Sequence, residues 1–205
     1  MLSGDNMDID KIKNKIINLS NTIIENEEYL TDLDRAIGDG DHGFNMAKGF
    51  NKVKDAMNDD YKDLKTLFNK IAMTLISNVG GASGPLYGTF FMKFAQSLDG
   101  EIHLSKTLFA KAFSDGVDGV IMRGKAQVGD KTMVDVLSPV SEALKNDSTF
   151  EEIVKIAKEN MEKTKDIKAL KGRAAYLGER SIGHIDPGAY SSYLCIKSVL
   201  GDLDD

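Results

Sequence analysis

LDRAIGDGDHGFNMAKGF, residues 33–50, contains Gly38-Asp39-Gly40-Asp41-His42-Gly43, which satisfies the pattern G-x-G-x-x-G. After a strand, that spelling marks a dinucleotide-binding loop inside a βαβ unit, and with it an α/β fold. Here the preceding residues read as helix. Two of the variable positions are aspartates, and Asp34 stands just upstream. Carboxylates repel a bare pyrophosphate. This stretch therefore decides between a parallel sheet and a different architecture.

The rest of the chain answers for helices. Apolar residues recur at helical spacing again and again, and no period-two run of β-branched residues competes with them. Ile9, Ile12, Ile16, Leu19, Ile23 and Ile24 form one face of a first helix. Met46 to Met57, Leu64 to Ile76, Pro85 to Leu98, Leu108 to Ile121, Val134 to Leu144 and Phe150 to Met161 supply six more. A last one runs from Tyr193 to Leu200, after an irregular stretch between Asp166 and Ser181. Pro85 suits a first turn, whereas Pro139 implies a kink or a late start. The expectation is an all-α chain of about eight antiparallel, up-and-down helices, forming one domain over residues 1–205 with a frayed acidic tail from Gly201 to Asp205.

Composition removes several functions. Of 205 residues, 26 are basic and 32 acidic, a formal net charge of −6. Nucleic acids and anionic membranes both select a basic face, so neither is expected as a partner. The single cysteine, Cys195, excludes an internal disulfide framework and fits a reducing cytoplasm. The start MLSGDNMDID is acidic and polar, unlike a secretory signal, and no apolar run approaches a membrane span. The expected location is the cytoplasm.

The connections between helices fall into two kinds. Those after the second, fourth and sixth helices are polar turns. Those after the first, third, fifth and seventh contain IGDGDHG, VGGASGP, RGKAQVGDKT and IGHIDPGA, where Asp, His, Ser and Lys are set among glycines. In an up-and-down bundle the odd connections all lie at one end. Four distant segments are thus expected to converge on one site.

Known motifs do not account for these loops. Gly119 to Ala126 imitates a phosphate loop but ends in Ala126, which has no hydroxyl for Mg²⁺. An EF-hand beginning at Asp39 would need ligands where Gly43 and Phe50 stand. What remains is Asp34, Asp39 and Asp41, brought together by a turn that Gly38, Gly40 and Gly43 permit. Three convergent carboxylates raise one another's pKa unless a cation sits among them. Hard oxygen ligands suit Mg²⁺ or Ca²⁺ rather than zinc. Mg²⁺ is commonly held by one or two carboxylates plus substrate phosphates, which reconciles acidic residues with a phosphate site. Asp39 or Asp41 capping the next helix is the simpler alternative. Gly80-Gly81-Ala82-Ser83-Gly84-Pro85 would expose backbone N–H groups to an anion at a helix N-terminus. Asp130 and Asp135 read as helix-start caps, and Met133 as a core residue.

LTDLDRAIGDGDHGFNMAKGF, GGASGPLYG, RGKAQVGDKTMVDVL and GRAAYLGERSIGHIDPGA together resemble the L subunits of dihydroxyacetone kinases, over nearly the whole chain from about Leu30 to Tyr193. The resemblance implies an eight-helix antiparallel barrel with a nucleotide held at one end through Mg²⁺. It implies Asp34, Asp39 and Asp41 as metal ligands, with one or two ions. It assigns nucleotide contacts to His42, Gly43, Phe44 and Asn45, to Ala82 and Ser83, to Gly124 and Met133, to Arg173, and to Asp186, Pro187 and Gly188. In one branch of the family this unit is fused to a substrate domain and uses ATP. In the other it is a free subunit with tightly bound ADP. A phosphotransferase-system M subunit rephosphorylates that ADP, and the phosphate passes to dihydroxyacetone on a K subunit. The length of the chain favours the free subunit, which would act only in the complex. An ATP-using kinase for another small substrate is the alternative. A nucleotide-state regulator that binds a transcription factor is another, and self-association as a homodimer is compatible with each. No general base stands out among the residues.

Overall fold

The computed structural model describes residues 7–201. The tail expected beyond Gly201 lies outside them. Nine α-helices follow one another among the described residues: α1 (Ile9–Glu25), α2 (Glu27–Ile37), α3 (His42–Ala56), α4 (Leu64–Asn78), α5 (Ser83–Gln96), α6 (Lys106–Gly124), α7 (Val134–Lys145), α8 (Phe150–Lys163) and α9 (Pro187–Leu200).

Neighbouring helices pack in a ring. α1 packs on α3, and each helix from α3 to α8 packs on its successor. α9 returns to α1 and closes the ring. α2 continues from α1 and lies against α3 and α9. The helices therefore make eight staves of a closed barrel, the first being α1 and α2 together.

That first stave breaks at Asn26, whose side-chain amide donates to Thr22 O at 2.8 Å. A side chain that competes for the backbone in this way is a known weak point in a helix. The apolar faces read from the sequence point inward. Ile12, Ile16, Leu19 and Ile23 are buried, as are Met46, Phe50, Val53 and Met57. Phe68, Phe90, Phe91, Phe94, Phe109 and Phe113 interlock inside the barrel through edge and tilted ring contacts. Such pairs add roughly 0.5–1.5 kcal/mol beyond area burial.

Two helix starts differ from the periodicity. α3 begins at His42 rather than Met46, so His42 to Asn45 form its first turn and not a loop. α9 begins at Pro187 rather than Tyr193, with Asp186 Oδ2 accepting from Ala189 N at 2.8 Å as its cap. Pro139 lies inside α7 without ending it. The chain also has a minimal sheet, since β1 (Met7–Asp8) pairs antiparallel with β2 (His103–Leu104). Two residues per strand carry no period, which hides them in the sequence. The pair ties the start of α1 to the α5–α6 connection.

With α1 and α2 as one stave, the connections 38–41, 79–82, 125–133 and 164–186 share one end of the barrel. The other end holds the polar turns. No helix among the described residues is long and apolar enough to cross a membrane.

Candidate functional site

The four odd connections meet around one open cleft. The first stave and its turn contribute Asp34, Ile37, Gly38, Asp39, Asp41 and His42. The glycine loop contributes Gly80 to Ser83, with Leu86 and Tyr87 of α5 behind it. Lys131, Thr132 and Met133 line another side, and Asp186, Pro187 and Gly188 another. The α8–α9 connection adds Lys171, Gly172, Arg173 and Ala174. The cleft these residues line is open to solvent.

The acidic corner is built by Asp34. One of its carboxylate oxygens, Oδ2, accepts from Asp41 N at 2.9 Å and His42 N at 3.1 Å. Asp34 thus supplies from α2 the cap that α3 lacks, since Asp41 makes no capping bond of its own. The capping alternative for Asp41 is therefore not realised. A Cβ at Gly38 would collide with Asp34 Oδ1, and Gly40 turns at φ +75°. These two glycines let the chain double back, so that carboxylate oxygens of Asp34, Asp39 and Asp41 all lie within 4.8 Å of one another. Asp34 is buried and the other two face solvent.

Charge at this corner is only partly balanced. Burial, then the Asp39 carboxylate, raise the pKa of Asp41, while a hydrogen bond from the Asn45 side chain lowers it. Arg173 Nη2 reaches Asp39 Oδ2 at 2.8 Å. Three carboxylates against one guanidinium leave two negative charges in a small space. One divalent cation would cancel them, and an all-oxygen donor set suits Mg²⁺. The residues present fit such an ion.

Across the cleft, Gly81 takes φ +65°, and α5 opens on Ala82, a residue whose side chain cannot accept a cap. The first N–H groups of α5 are thereby left for an external acceptor, where the helix dipole favours an anion. α9, by contrast, is capped by Asp186.

A buried chain of hydrogen bonds forms the floor. His42 Nδ1 lies 3.0 Å from Ser83 Oγ, and His42 Nε2 lies 3.0 Å from Ser191 Oγ. Tyr87 Oη reaches Ser191 Oγ at 2.8 Å and Ser192 Oγ at 3.0 Å. Burial lowers the His42 pKa to about 4, against the opposing pull of the Asp34 carboxylate. A neutral imidazole fixes Ser83 in the glycine loop. Burial pushes Asp186 up to about 7, helped by Asp135 and Asp34 and opposed first by the hydrogen bond from Ala189 N and then by Lys131.

Not every expected contact lies in the cleft. Gly43 packs α3 against the backbone of Glu27 and Thr31 on α2. Phe44 is 58% exposed and does not line the cleft. Asn45 stands between Asp41 and Gly80, where a Cβ on Gly80 would meet Asn45 Oδ1 at 2.7 Å. Gly124 ends α6 behind Leu86. His42, Ala82, Ser83, Met133, Arg173, Asp186, Pro187 and Gly188 do line it. Asp130 and Asp135 brace the preceding connection rather than cap the start of α7: Asp130 accepts from Gln127 N, and Asp135 from Gly129 N and Thr132 N, while Met133 at the cap position makes no side-chain cap bond. Sequence reasoning missed Lys131, Tyr87 and Ser191. Paired serines in the otherwise apolar α9 were the available signal for Ser191.

A second cavity runs through the barrel interior. Its lining is almost wholly apolar, dominated by the phenylalanine cluster, and offers little to recognise a phosphate.

Residues 36–201 match the model of the DAK2 domain. The chain belongs to the DAK2 domain family. Among DAK2 relatives, it is 49% identical over 177 residues to the ADP-binding subunit of PEP-dependent dihydroxyacetone kinase 1 of Listeria innocua serovar 6a. That match covers 86% of this chain and 87% of the relative. It is 50% identical over 175 residues to the ADP-binding subunit of PEP-dependent dihydroxyacetone kinase of Escherichia coli K12, covering 80% and 82%. Among solved structures, the dihydroxyacetone kinase of C. freundii in complex with AMP-PNP and Mg²⁺ superposes with a TM-score of 0.76 at 25% identity. The match takes in 93% of this chain but only 33% of that one, so the chain spans about a third of that kinase's length.

Proposed function

We propose that the chain is the ADP-binding, phosphoryl-transfer subunit of a PEP-dependent dihydroxyacetone kinase. The observation that carries this reading is the acidic corner facing an uncapped helix N-terminus across one cleft, in a chain about half identical to subunits of that name. Asp34, Asp39 and Asp41 would hold one or two Mg²⁺ ions. Backbone N–H groups at Ala82, Ser83 and Gly84 would receive phosphate oxygens, and Met133, Leu86 and Ile37 would offer apolar surface to the base and ribose. Gly188, packed near Met133, would close that side. When bound, the metal offsets phosphate charge during an in-line transfer, in which positioning and electrostatics supply most of the catalysis.

The chain's own residues prepare that transfer. Asp34 sets the turn that presents Asp39 and Asp41. The neutral His42 holds Ser83, and Arg173 places a fixed cation beside the acidic corner. No carboxylate or imidazole here is both unengaged and placed as a base for a sugar hydroxyl. The hydroxyl acceptor is therefore assigned to a K subunit, and rephosphorylation of ADP to a phosphotransferase-system M subunit. A cytoplasmic location follows from such partners.

The test is reconstitution. The isolated protein with ATP, Mg²⁺ and dihydroxyacetone should form almost no product, and K and M subunits with phosphoenolpyruvate should restore turnover. Ordinary kinase rates from the isolated protein would instead support a self-sufficient ATP-using kinase.

A further inference from the structure

The connection between α8 and α9, residues 164–186, crosses the site end of the barrel and brings Lys171 to Ala174 to the cleft. It contains only 3-10 turns, at Thr164–Asp166 and Arg173–Ser181, the latter broken at Gly178. Its buried apolar residues, Ala169 and Ala174, join Ile37 in a small cluster apart from the main core. Long connections of this kind are commonly functional and need bracing.

The brace is Lys131. This side chain is 1% exposed, and its backbone takes the left-handed φ of +62°. Its Nζ donates to Thr164 O at 2.7 Å, Ser181 O at 2.8 Å, His184 O at 2.6 Å and Ile167 O at 3.2 Å. An ammonium has three N–H groups, so the longest of the four contacts is shared. One atom thus grips the entry, the end of the 3-10 stretch and the exit of the connection. Adjacent bonds extend the grip: Leu170 N donates to Asp130 O at 3.0 Å, and Ala169 N to Ser181 Oγ at 2.9 Å.

Burying an ammonium is costly unless its donors are satisfied. Burial lowers the Lys131 pKa, and the Asp186, Asp166 and Asp135 carboxylates oppose that fall. Nothing in phosphoryl transfer needs a lysine that is saturated with carbonyls. Outside the grip, Tyr176 is 90% exposed, and the tip is tied across the cleft through the exposed Arg173–Asp39 pair.

We propose that Lys131 is a positioning residue that clamps the base of the 164–184 strap over the cleft and thereby sets how long the nucleotide stays bound. The residence claim rests on the nucleotide reading above; the clamp does not.

The test uses the full chain and Lys131→Met, which keeps an apolar stem and removes the donors. Hydrogen exchange on nucleotide-free protein should show lost protection at Ala169, Leu170, Ile182 and Gly183, with α4 and α5 protected as in the wild type. Exchange of bound ADP for isotopically labelled ADP with Mg²⁺, followed by native mass spectrometry, should accelerate at least about tenfold, an effect on the dissociation rate. Unchanged strap protection in the folded variant would overturn the clamp. Lost protection with wild-type exchange of ADP would overturn the residence claim. If Lys131→Met loses protection in α4 and α5 as well, Ser181→Ala cuts the strap more mildly. It should speed ADP exchange by a few-fold, and no change there contradicts the proposal. A wild-type protein that binds no ADP removes the nucleotide reading and the residence claim together, and leaves the clamp judged by hydrogen exchange.

Discussion

Arg173 Nη2 sits 2.8 Å from Asp39 Oδ2, joining the α8–α9 connection to the acidic turn between α2 and α3. Both side chains are substantially exposed, at 68% and 34%. Exposed pairs are worth about 0–1 kcal/mol. Arg173→Ala should therefore leave the thermal midpoint of the nucleotide-free protein nearly unchanged. Removing the cation beside the proposed phosphate site should weaken binding of Mg²⁺·ADP by about tenfold, or about 1.4 kcal/mol, in calorimetric titration.

Asp34 has two duties that substitution can separate. Asp34→Asn keeps an oxygen for Asp41 N and His42 N but removes the charge. It should fold with little loss and bind Mg²⁺ poorly. Asp34→Ala leaves both donors without that partner and should cost a further 1–3 kcal/mol, roughly, in chemical denaturation. Equal stability of the two variants would show that the capping bonds contribute nothing.

Gly38 faces the same carboxylate. A methyl group there falls on Asp34 Oδ1. Gly38→Ala should displace the ligand, lowering stability by about 1–3 kcal/mol through overpacking and weakening Mg²⁺ binding in the same protein. Gly81→Ala, where a Cβ meets nothing within 4 Å but φ is +65°, should weaken ADP binding while sparing the metal.

Cys195 gives a pH prediction away from the cleft. Cys195 is half-buried by surface exposure, and desolvation by the surrounding barrel pushes its thiol from 9.0 up to about 12. The thiolate reacts, not the thiol. Alkylation of the native protein should stay slow until well above pH 9, whereas urea-unfolded protein should react with the ordinary profile. In stability terms, the unfolded thiol ionises first. Its contribution is intact below pH 9 and is lost as pH rises toward 12.

How far the sequence alone reached follows from which residues carry a period. The ring of helices was readable because Ile12, Ile16, Leu19 and Ile23, and their counterparts elsewhere, repeat at helical spacing. Helix parity then placed IGDGDHG, VGGASGP, RGKAQVGDKT and IGHIDPGA at one end, where the structure has them. Other features leave no such trace. The break at Asn26 is one side-chain bond within a continuing apolar pattern. His42 starts α3 because a carboxylate from another helix caps it, which no local pattern reveals. Lys131 in a Gly-Asp-Lys-Thr turn reads as a solvated cation. Its burial comes from carbonyls far along the chain, in a 3-10 segment with no apolar repeat.

The central claim is that the three aspartates hold metal against a nucleotide retained by this chain. Native mass spectrometry of the purified protein after extensive dialysis tests it most directly. The account predicts a mass increased by ADP and one or two Mg²⁺, with the added mass lost in Asp34→Asn. A bare chain that takes up ATP only reversibly, or an ADP adduct indifferent to Asp34→Asn, would contradict it.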